Sequence, residues 1–142
     1  MKDKVFLDTN ILVYLANEDS SFHAVVKGKF KDLAAKSELW ISRQVLREYA
    51  VVMSRSGIIE KPLTSAEIVS DLTKWGTICV VADETEEVTG FLKKLIQTYN
   101  IKGKRIHDAN IVATMMVNTI AFLFTLNVDD FKGIKEVELI TV

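Results

Sequence analysis

Short apolar runs alternate along this chain with longer stretches in which apolar residues recur at helical spacing. The first run stops at Asp8, and an apolar helical segment starts directly after it. Near-continuous apolar runs of this length are typical of strands buried on both faces, and strands that alternate with helices predict a parallel sheet. We therefore expect an α/β fold whose mostly parallel, four- or five-stranded sheet is covered by helices. The predicted strands are residues 5–7, 39–41, 77–81, 120–124 and 138–142.

Helical spacing and helix-boundary residues predict the connecting elements. After the helix that follows Asp8, the predicted helices are residues 22–36, 43–54, 64–75, 84–99 and 107–117. Thr64 and Glu67 have the spacing of a capping box, and Gly76 is expected to end the helix that they begin. The pair of helices between Arg43 and Trp75 is the only long insertion without a strand, and it could form an arm beside the sheet.

The composition is that of a soluble globular domain. The chain has 142 residues, 49% of them hydrophobic, which fits one domain with a substantial core. The net charge of −1 gives no overall basic field for nucleic acid. A lone cysteine, Cys79, fits a reducing compartment. With neither a signal-like segment nor an apolar run of membrane-spanning length, we expect a cytoplasmic protein that does not contact membranes.

Asp8 is the first candidate for chemistry, because ligands of open α/β sheets bind at the carboxyl ends of the strands. An Asp between a strand and a helix is also a good N-cap, so capping is the simpler explanation of this residue on its own. The chemical interpretation depends on whether other acids meet Asp8.

Two further acids interrupt apolar helix faces. Glu48 lies on the stripe formed by Val45, Tyr49 and Val52, and a carboxylate there is costly unless it is paired or bound to a cation. It could instead lie at the edge of the stripe, or pair with an arginine nearby. Asp108 begins the stripe of the helix at 107–117, where interaction with the helix N-terminus is the alternative explanation.

A polar segment at residues 125–131 follows the fourth predicted strand, so it also lies at a carboxyl end. Asn127 and Asp130 are its candidate site residues, with Asp129 a weaker one, and an ordinary polar turn is the alternative. Basic side chains could form a local phosphate-binding rim, although each alone could be a solvated surface charge. Those candidates are Arg43, Arg47, Arg55, Lys102, Lys104 and Arg105.

Convergence of these acids would require a cation. Carboxylates about 4–5 Å apart repel by roughly 3–4 kcal/mol per pair at an effective dielectric constant of about 20. A cluster of three would rival the whole stability of a domain, unless it took up protons or bound a metal. Oxygen ligands favour Mg²⁺ or Mn²⁺, and no Cys/His pattern indicates zinc. Hydrolysis of phosphodiester bonds by a metal-activated water is the natural chemistry of such a site.

Four segments follow one another along nearly the whole chain: residues 6–14 (FLDTNILVY), 41–48 (ISRQVLRE), 106–115 (IHDANIVATM) and 125–131 (TLNVDDF). In this order they resemble the PIN domain, and more narrowly the toxin ribonucleases of VapC type. The resemblance implies a three-layer α/β/α sandwich and Mg²⁺- or Mn²⁺-dependent RNA cleavage.

The resemblance also assigns roles to individual residues. Asp8, Glu48 and Asp108 would hold the metal, and Asp130 would complete the catalytic acids. Asn127 stands where many members have an acid, so the fourth ligand and the number of metals stay open. Asn10 and Thr125 would support the ligands. Toxins of this type commonly form homodimers and pair with a small antitoxin.

Other functions remain open from the sequence. A PIN nuclease could act in RNA processing without an antitoxin, and a PIN-like module could bind RNA or protein without catalysis. A phosphatase of the haloacid dehalogenase type would also carry an acid after its first strand. That chemistry normally needs a second acid two residues later, where this chain has Asn10.

Overall fold

A five-stranded, wholly parallel sheet forms the centre of the structure, a computed structural model that describes residues 2–57 and 59–142. The strand order is β3-β2-β1-β4-β5, so β1 is central and is hydrogen-bonded to β2 and β4. The predicted α/β class and parallel sheet are confirmed. The strands are β1 (Asp3–Leu7), β2 (Ser37–Ser42), β3 (Val80–Ala82), β4 (Phe122–Phe124) and β5 (Glu138–Ile140).

Helices cover both faces of the sheet, as the predicted three-layer α/β/α arrangement requires. The chain runs outward from β1 through β2 to β3, and then returns past β1 to β4. With right-handed crossovers, the helices before β3 lie on one face and those between β3 and β4 on the other. The helices are α1 (Thr9–Ala16), α2 (His23–Lys36), α3 (Arg43–Ser54), α4 (Ser65–Ile78), α5 (Glu86–Tyr99), α6 (Arg105–Val117) and α7 (Val128–Phe131).

The reversal of strand order places the carboxyl ends of β1 and β4 side by side. The backbone N–H of Asp8 donates to the carbonyl of Phe124 over 3.0 Å, so the residues that follow these two strands are neighbours. A crevice at such a reversal is the usual ligand site of open α/β sheets. Below it, Phe6, Leu7, Leu123 and Phe124 are fully buried, which gives the crevice a rigid floor.

Helix boundaries differ from the predictions at a few places. The capping box of Thr64 and Glu67 is present, but α4 continues through Gly76 to Ile78. Thr77 belongs to this helix, with its hydroxyl donating to the carbonyl of Thr73, so the predicted strand 77–81 was wrong at its start. Strand β3 begins only at Val80. Trp75 is buried in the core and holds the end of α4 against the domain, which outweighs the weak helix propensity of one glycine.

Two other predictions were also wrong in part. The helices between Arg43 and Trp75 do not form a separate arm, because α3 buries Val45, Tyr49 and Met53 in the main core. The segment after β4 is not entirely loop, since it contains the one-turn helix α7. Phe131 is buried and fixes this turn to the core.

Candidate active site

Asp8 lies at the bottom of the crevice with both carboxylate oxygens hydrogen-bonded. Its Oδ1 accepts from the backbone N–H of Thr9 over 2.8 Å. Its Oδ2 accepts from the hydroxyl of Thr125 over 2.8 Å and from the side-chain amide of Asn10 over 3.1 Å. The residue is only 6% exposed, so these bonds hold the carboxylate in one orientation.

Asp8 both caps helix α1 and lines the crevice. Its side chain is the N-cap of α1, as the simpler interpretation expected. The same side chain faces the cleft, and its pKa is raised to about 6. Burial is the main cause and the negative charge of Glu48 adds to it, while the hydrogen bonds favour the charged form and oppose the rise. A carboxylate needed only as a cap would be better placed in solvent.

Asn10 and Thr125 connect the start of α1 to the loop after β4. Asn10 donates to Asp8 and, over 3.3 Å, to the hydroxyl of Thr125. Its side-chain carbonyl accepts from the backbone N–H of Leu126. The backbone N–H of Asn127 donates to Thr125, while the side chain of Asn127 lines the cleft and is exposed. Asn10 and Thr125 therefore contact Asp8 directly, and the backbone of Asn127 contacts Thr125.

Glu48 lies across the cleft from Asp8, on α3. Its Oε1 accepts from the hydroxyl of Thr9 over 2.8 Å, and its Oε2 accepts a longer bond of 3.4 Å from the amide of Gln44. Neither of its carboxylate oxygens accepts from Arg47 or Arg55 within the described chain, so the alternative of an arginine pair does not apply. Thr9 thus bridges the element that carries Asp8 and the helix that carries Glu48.

Asp108 lies in the first turn of α6 and lines the same cleft. Its pKa is raised to about 7, first by partial burial and then by the charges of Asp130, Asp8 and Glu48, while the positive charge of Arg105 opposes the rise. Burial and the surrounding negative charge therefore outweigh the favourable position at a helix N-terminus. Asp130 contributes that charge from an exposed position on α7, outside the lining of the cleft.

The cleft that unites these groups encloses about 700 Å³. One part of its wall is polar and acidic, and another is apolar. The polar lining includes Asp8, Asn10, Gln44, Arg47, Glu48, His107, Asp108 and Asn127, and the apolar lining includes Val13, Tyr14, Val51, Val52 and Ile59. The sequence thus predicted the convergence of Asp8, Glu48 and Asp108 on one cavity.

Two arginines of the predicted basic rim are paired with acidic groups. Arg43 pairs with Asp83 over 3.0 Å, and Arg47 pairs with Glu84 over 2.8 Å. Of this set only Arg47 lines the cleft. Arg105 makes a 3.5 Å contact with the backbone carbonyl of Asp130. Lys104 is exposed at the N-cap of α6. Because these basic groups are paired with other acids or lie outside the cleft lining, they neutralise little of the negative charge in the cleft.

The groups around the cleft fit a hard divalent cation that keeps part of its water shell. Across residues 2–57 and 59–142, no three His, Cys, Asp or Glu side chains come together as a ready-made metal site. Mg²⁺, however, is usually bound through one or two carboxylates plus water and substrate phosphates. The raised pKa values of Asp8 and Asp108 arise first from burial and then from neighbouring acids, and a cation bound beside them would favour their charged forms.

Two polar residues of this site, Thr9 and Gln44, were not predicted from the sequence. Thr9 resembles an ordinary helix-start residue, and Gln44 an ordinary polar residue in the first turn of a helix. Gln44 is nevertheless only 4% exposed, and it contacts both α3 and α6. The one indication in the sequence was the amide side chain of Gln44 next to the apolar stripe of α3. This indication is weak.

The raised pKa values predict an unusual pH dependence of stability in the metal-free protein. Folded Asp8 and Asp108 bind protons more tightly than in the unfolded chain, so the stability that this provides is complete below about pH 4 and is lost as pH rises through 6–7. Asp8 alone corresponds to a loss on the order of 2–3 kcal/mol. We expect the melting temperature in EDTA to fall between pH 4.5 and 7.5. A flat or rising profile would contradict this charge distribution.

Comparison with known proteins identifies the fold and the family. The structure is similar to VapBC2 from Rickettsia felis, solved with a DNA fragment from its promoter (TM-score 0.73, 22% identity, 98% of each chain covered). It is also similar to VapC20 of Mycobacterium tuberculosis, a sarcin–ricin loop cleaving toxin (TM-score 0.68, 18% identity, 89% of this chain and 92% of that chain). VapBC-1 of nontypeable Haemophilus influenzae gives a TM-score of 0.71 at 17% identity, with 97% of each chain covered.

Sequence comparison adds the family. No curated protein sequence matches the chain significantly. Within the described residues, no helix is both long and apolar enough to cross a membrane. The family model of the PIN domain matches residues 5–137, which include every acid of the cleft. The chain therefore belongs to the PIN domain family.

Proposed function

We propose that this protein is a divalent-metal-dependent endoribonuclease and the toxin of a toxin–antitoxin pair. The observation that carries the proposal is the meeting of Asp8, Glu48 and Asp108 on one cleft, at the carboxyl edge of the sheet. The raised pKa values of Asp8 and Asp108 support it, because carboxylates whose charge is disfavoured by burial and by neighbouring acids are stabilised by a bound cation. PIN domains are generally metal-dependent nucleases, and the chain belongs to that family.

In this proposal Asp8, Asp108 and Glu48 hold Mg²⁺ or Mn²⁺, directly or through water. The bound ion supplies positive charge for phosphate oxygens and lowers the pKa of a water molecule. Thr125, Asn10 and the N–H of Thr9 keep Asp8 in place, which avoids reorganisation when substrate binds. Thr9 does the same for Glu48. Asp130 adds negative charge beside Asp108 and contributes to catalysis from the rim.

RNA is the proposed substrate, and a small antitoxin is the proposed partner. VapC20, whose fold this chain shares, is a sarcin–ricin loop cleaving toxin, and a structure of similar fold from Klebsiella pneumoniae is a toxin–antitoxin complex. Four basic residues would contact the RNA backbone: Arg47, which lines the cleft, and Arg43, Lys104 and Arg105, which lie outside its lining. Arg43 and Arg47 would exchange an acidic partner for phosphate. A homodimer is proposed from the resemblance to VapC-type toxins.

Chelation tests the proposed metal dependence. Purified protein is incubated with single-stranded and structured RNA in Mg²⁺, in Mn²⁺ and in excess EDTA. We expect cleavage with either metal, none in EDTA, and recovery when Mn²⁺ is returned in excess over the chelator, because the acidic groups alone repel the phosphate. Cleavage at an unchanged rate in EDTA would remove the proposed mechanism.

Two other experiments separate the alternative functions. Calorimetric titration with Mn²⁺ tests the non-catalytic alternative, which predicts neither metal binding nor hydrolysis. A short antitoxin-like reading frame beside the gene would favour the toxin over a nuclease of RNA processing. Sequencing of RNA ends after expression of the wild type and an inactive variant would then identify the RNA that is cut.

A further inference from the structure

Gln44 is a buried polar residue in the wall of the cleft, in the first turn of α3. Its side chain is nearly inaccessible, and Glu48 follows it by one helical turn. Buried amides are costly unless their donors and acceptors are satisfied. The hydrogen bonds of Gln44 therefore indicate what the residue does for the site.

The amide of Gln44 connects α3 to the first turn of α6. Its Nε2 donates to the backbone carbonyl of His107 over 2.8 Å and, more weakly over 3.4 Å, to Oε2 of Glu48. Its Oε1 accepts from the side-chain amide of Asn110 over 2.8 Å. Both N–H donors and the carbonyl of the Gln44 side chain are thus engaged. Two of the partners, His107 and Asn110, lie within two residues of Asp108 in the chain.

Only an amide satisfies these partners at once. The carbonyl of His107 can only accept, so it fixes which end of the Gln44 side chain carries the donors. A glutamate at this position would place a second carboxylate against that carbonyl and against Glu48. An apolar residue of similar size would leave Asn110 without its acceptor and would release one oxygen of Glu48.

We propose that Gln44 is a positioning residue that fixes Glu48 on α3 relative to Asp108 on α6, and thereby sets the affinity of the site for its metal. The inference rests on the proposed function, because it assumes that these acids share an ion. Without Gln44, Glu48 keeps one side-chain hydrogen bond among the described residues, from Thr9, and α6 loses the bond that joins it to Gln44 of α3 beside the cleft. Residues that orient metal ligands in this way typically change metal affinity or activity by roughly 10–100-fold when replaced.

A merely structural role predicts a different result from a positioning role. Loss of a buried hydrogen bond that only joins two helices lowers the melting temperature, but it leaves metal affinity unchanged in the folded protein. Loss of a positioning contact weakens metal binding at temperatures where the protein is fully folded. Affinity for Mn²⁺ measured well below the melting transition therefore distinguishes the two roles.

The test compares Gln44→Met with wild type and with the control Gln97→Met, an exposed residue of α5. Each protein is titrated with Mn²⁺ by calorimetry, and its RNA cleavage is measured over a range of substrate concentrations. For Gln44→Met we expect the Kd for Mn²⁺ to rise about 10–100-fold and kcat to fall by a similar factor, with KM for RNA within about twofold. Gln97→Met should behave as wild type.

A Kd for Mn²⁺ within about twofold of wild type in folded Gln44→Met overturns the inference, whatever happens to the melting temperature. If Gln44→Met does not fold, Asn110→Ala decides by the same two measurements, because it removes the partner of Oε1 and leaves Gln44 in place. A wild type that neither binds Mn²⁺ nor cleaves RNA overturns the proposed function instead, and this inference with it.

Discussion

Asp8→Asn is expected to lower RNA cleavage by at least about 100-fold while the protein stays folded. A metal ion stabilises charge in the transition state by several kcal/mol, and each 1.4 kcal/mol corresponds to a factor of ten in rate. Asp8 is the acid at the centre of the cleft, and the only one of the three that is almost fully buried. Replacing its charge should therefore remove most of the metal affinity.

The fold should tolerate this change because asparagine keeps two of the three hydrogen-bond partners of Asp8 and loses the bond from the amide of Asn10. Its carbonyl can accept from the N–H of Thr9, and its amide can donate to the hydroxyl of Thr125. Asp3→Asn is the matched control, since Asp3 is exposed at the opposite end of β1. Cleavage rates and circular dichroism melts of both variants are compared with wild type. Wild-type cleavage by Asp8→Asn would exclude a metal mechanism centred on this residue.

Asp108→Asn is expected to abolish cleavage and, at the same time, to stabilise the metal-free protein at pH 7.5. The pKa of Asp108 is raised to about 7 by burial and by the neighbouring acids, so its charge is unfavourable in the folded state without a cation. A neutral side chain of the same shape removes that repulsion. Activity lost together with stability gained is typical of a strained functional site.

Melting in EDTA and in Mn²⁺ measures this effect. In EDTA, the melting temperature of Asp108→Asn should exceed that of wild type at pH 7.5, and the two should converge towards pH 4.5. Excess Mn²⁺ should raise the melting temperature of wild type more than that of the variant. Asp32→Asn, at an exposed acid on α2 away from the cleft, is the control and should match wild type. Asp108→Asn that melts below wild type in EDTA at pH 7.5 would contradict the repulsion.

The acids of the site could be predicted from sequence because each breaks a strong local pattern. Asp8 ends an apolar strand, and Glu48 and Asp108 interrupt apolar helix faces. Such patterns fix which way a side chain points, and the parallel sheet brings the strand ends to one edge. The fold followed from the same patterns, with errors at Gly76 and in the segment after β4, where one turn of helix depends on packing of Phe131.

Contacts between distant polar groups could not be predicted in the same way. The bond from Thr9 to Glu48 spans 39 residues, and the bond from Gln44 to His107 spans 63. Thr9, Gln44 and His107 are not unusual in their own segments, so no local pattern marks either pair. The ion pairs of Arg43 with Asp83 and Arg47 with Glu84 likewise depend on how α3 packs beside the loop after β3. The sequence gives no sign of these ion pairs, so the prediction treated both arginines as available to bind RNA.

A crystal structure grown in Mn²⁺, with an anomalous difference map, tests most directly whether the acids share a cation. The expected result is a manganese peak in the cleft, with a carboxylate oxygen of Asp8 or Asp108 at a coordinating distance of about 2.1 Å and the other acids bound directly or through water. A map without a manganese peak among Asp8, Glu48 and Asp108, from crystals that show the ion bound elsewhere, would contradict the proposed metal site.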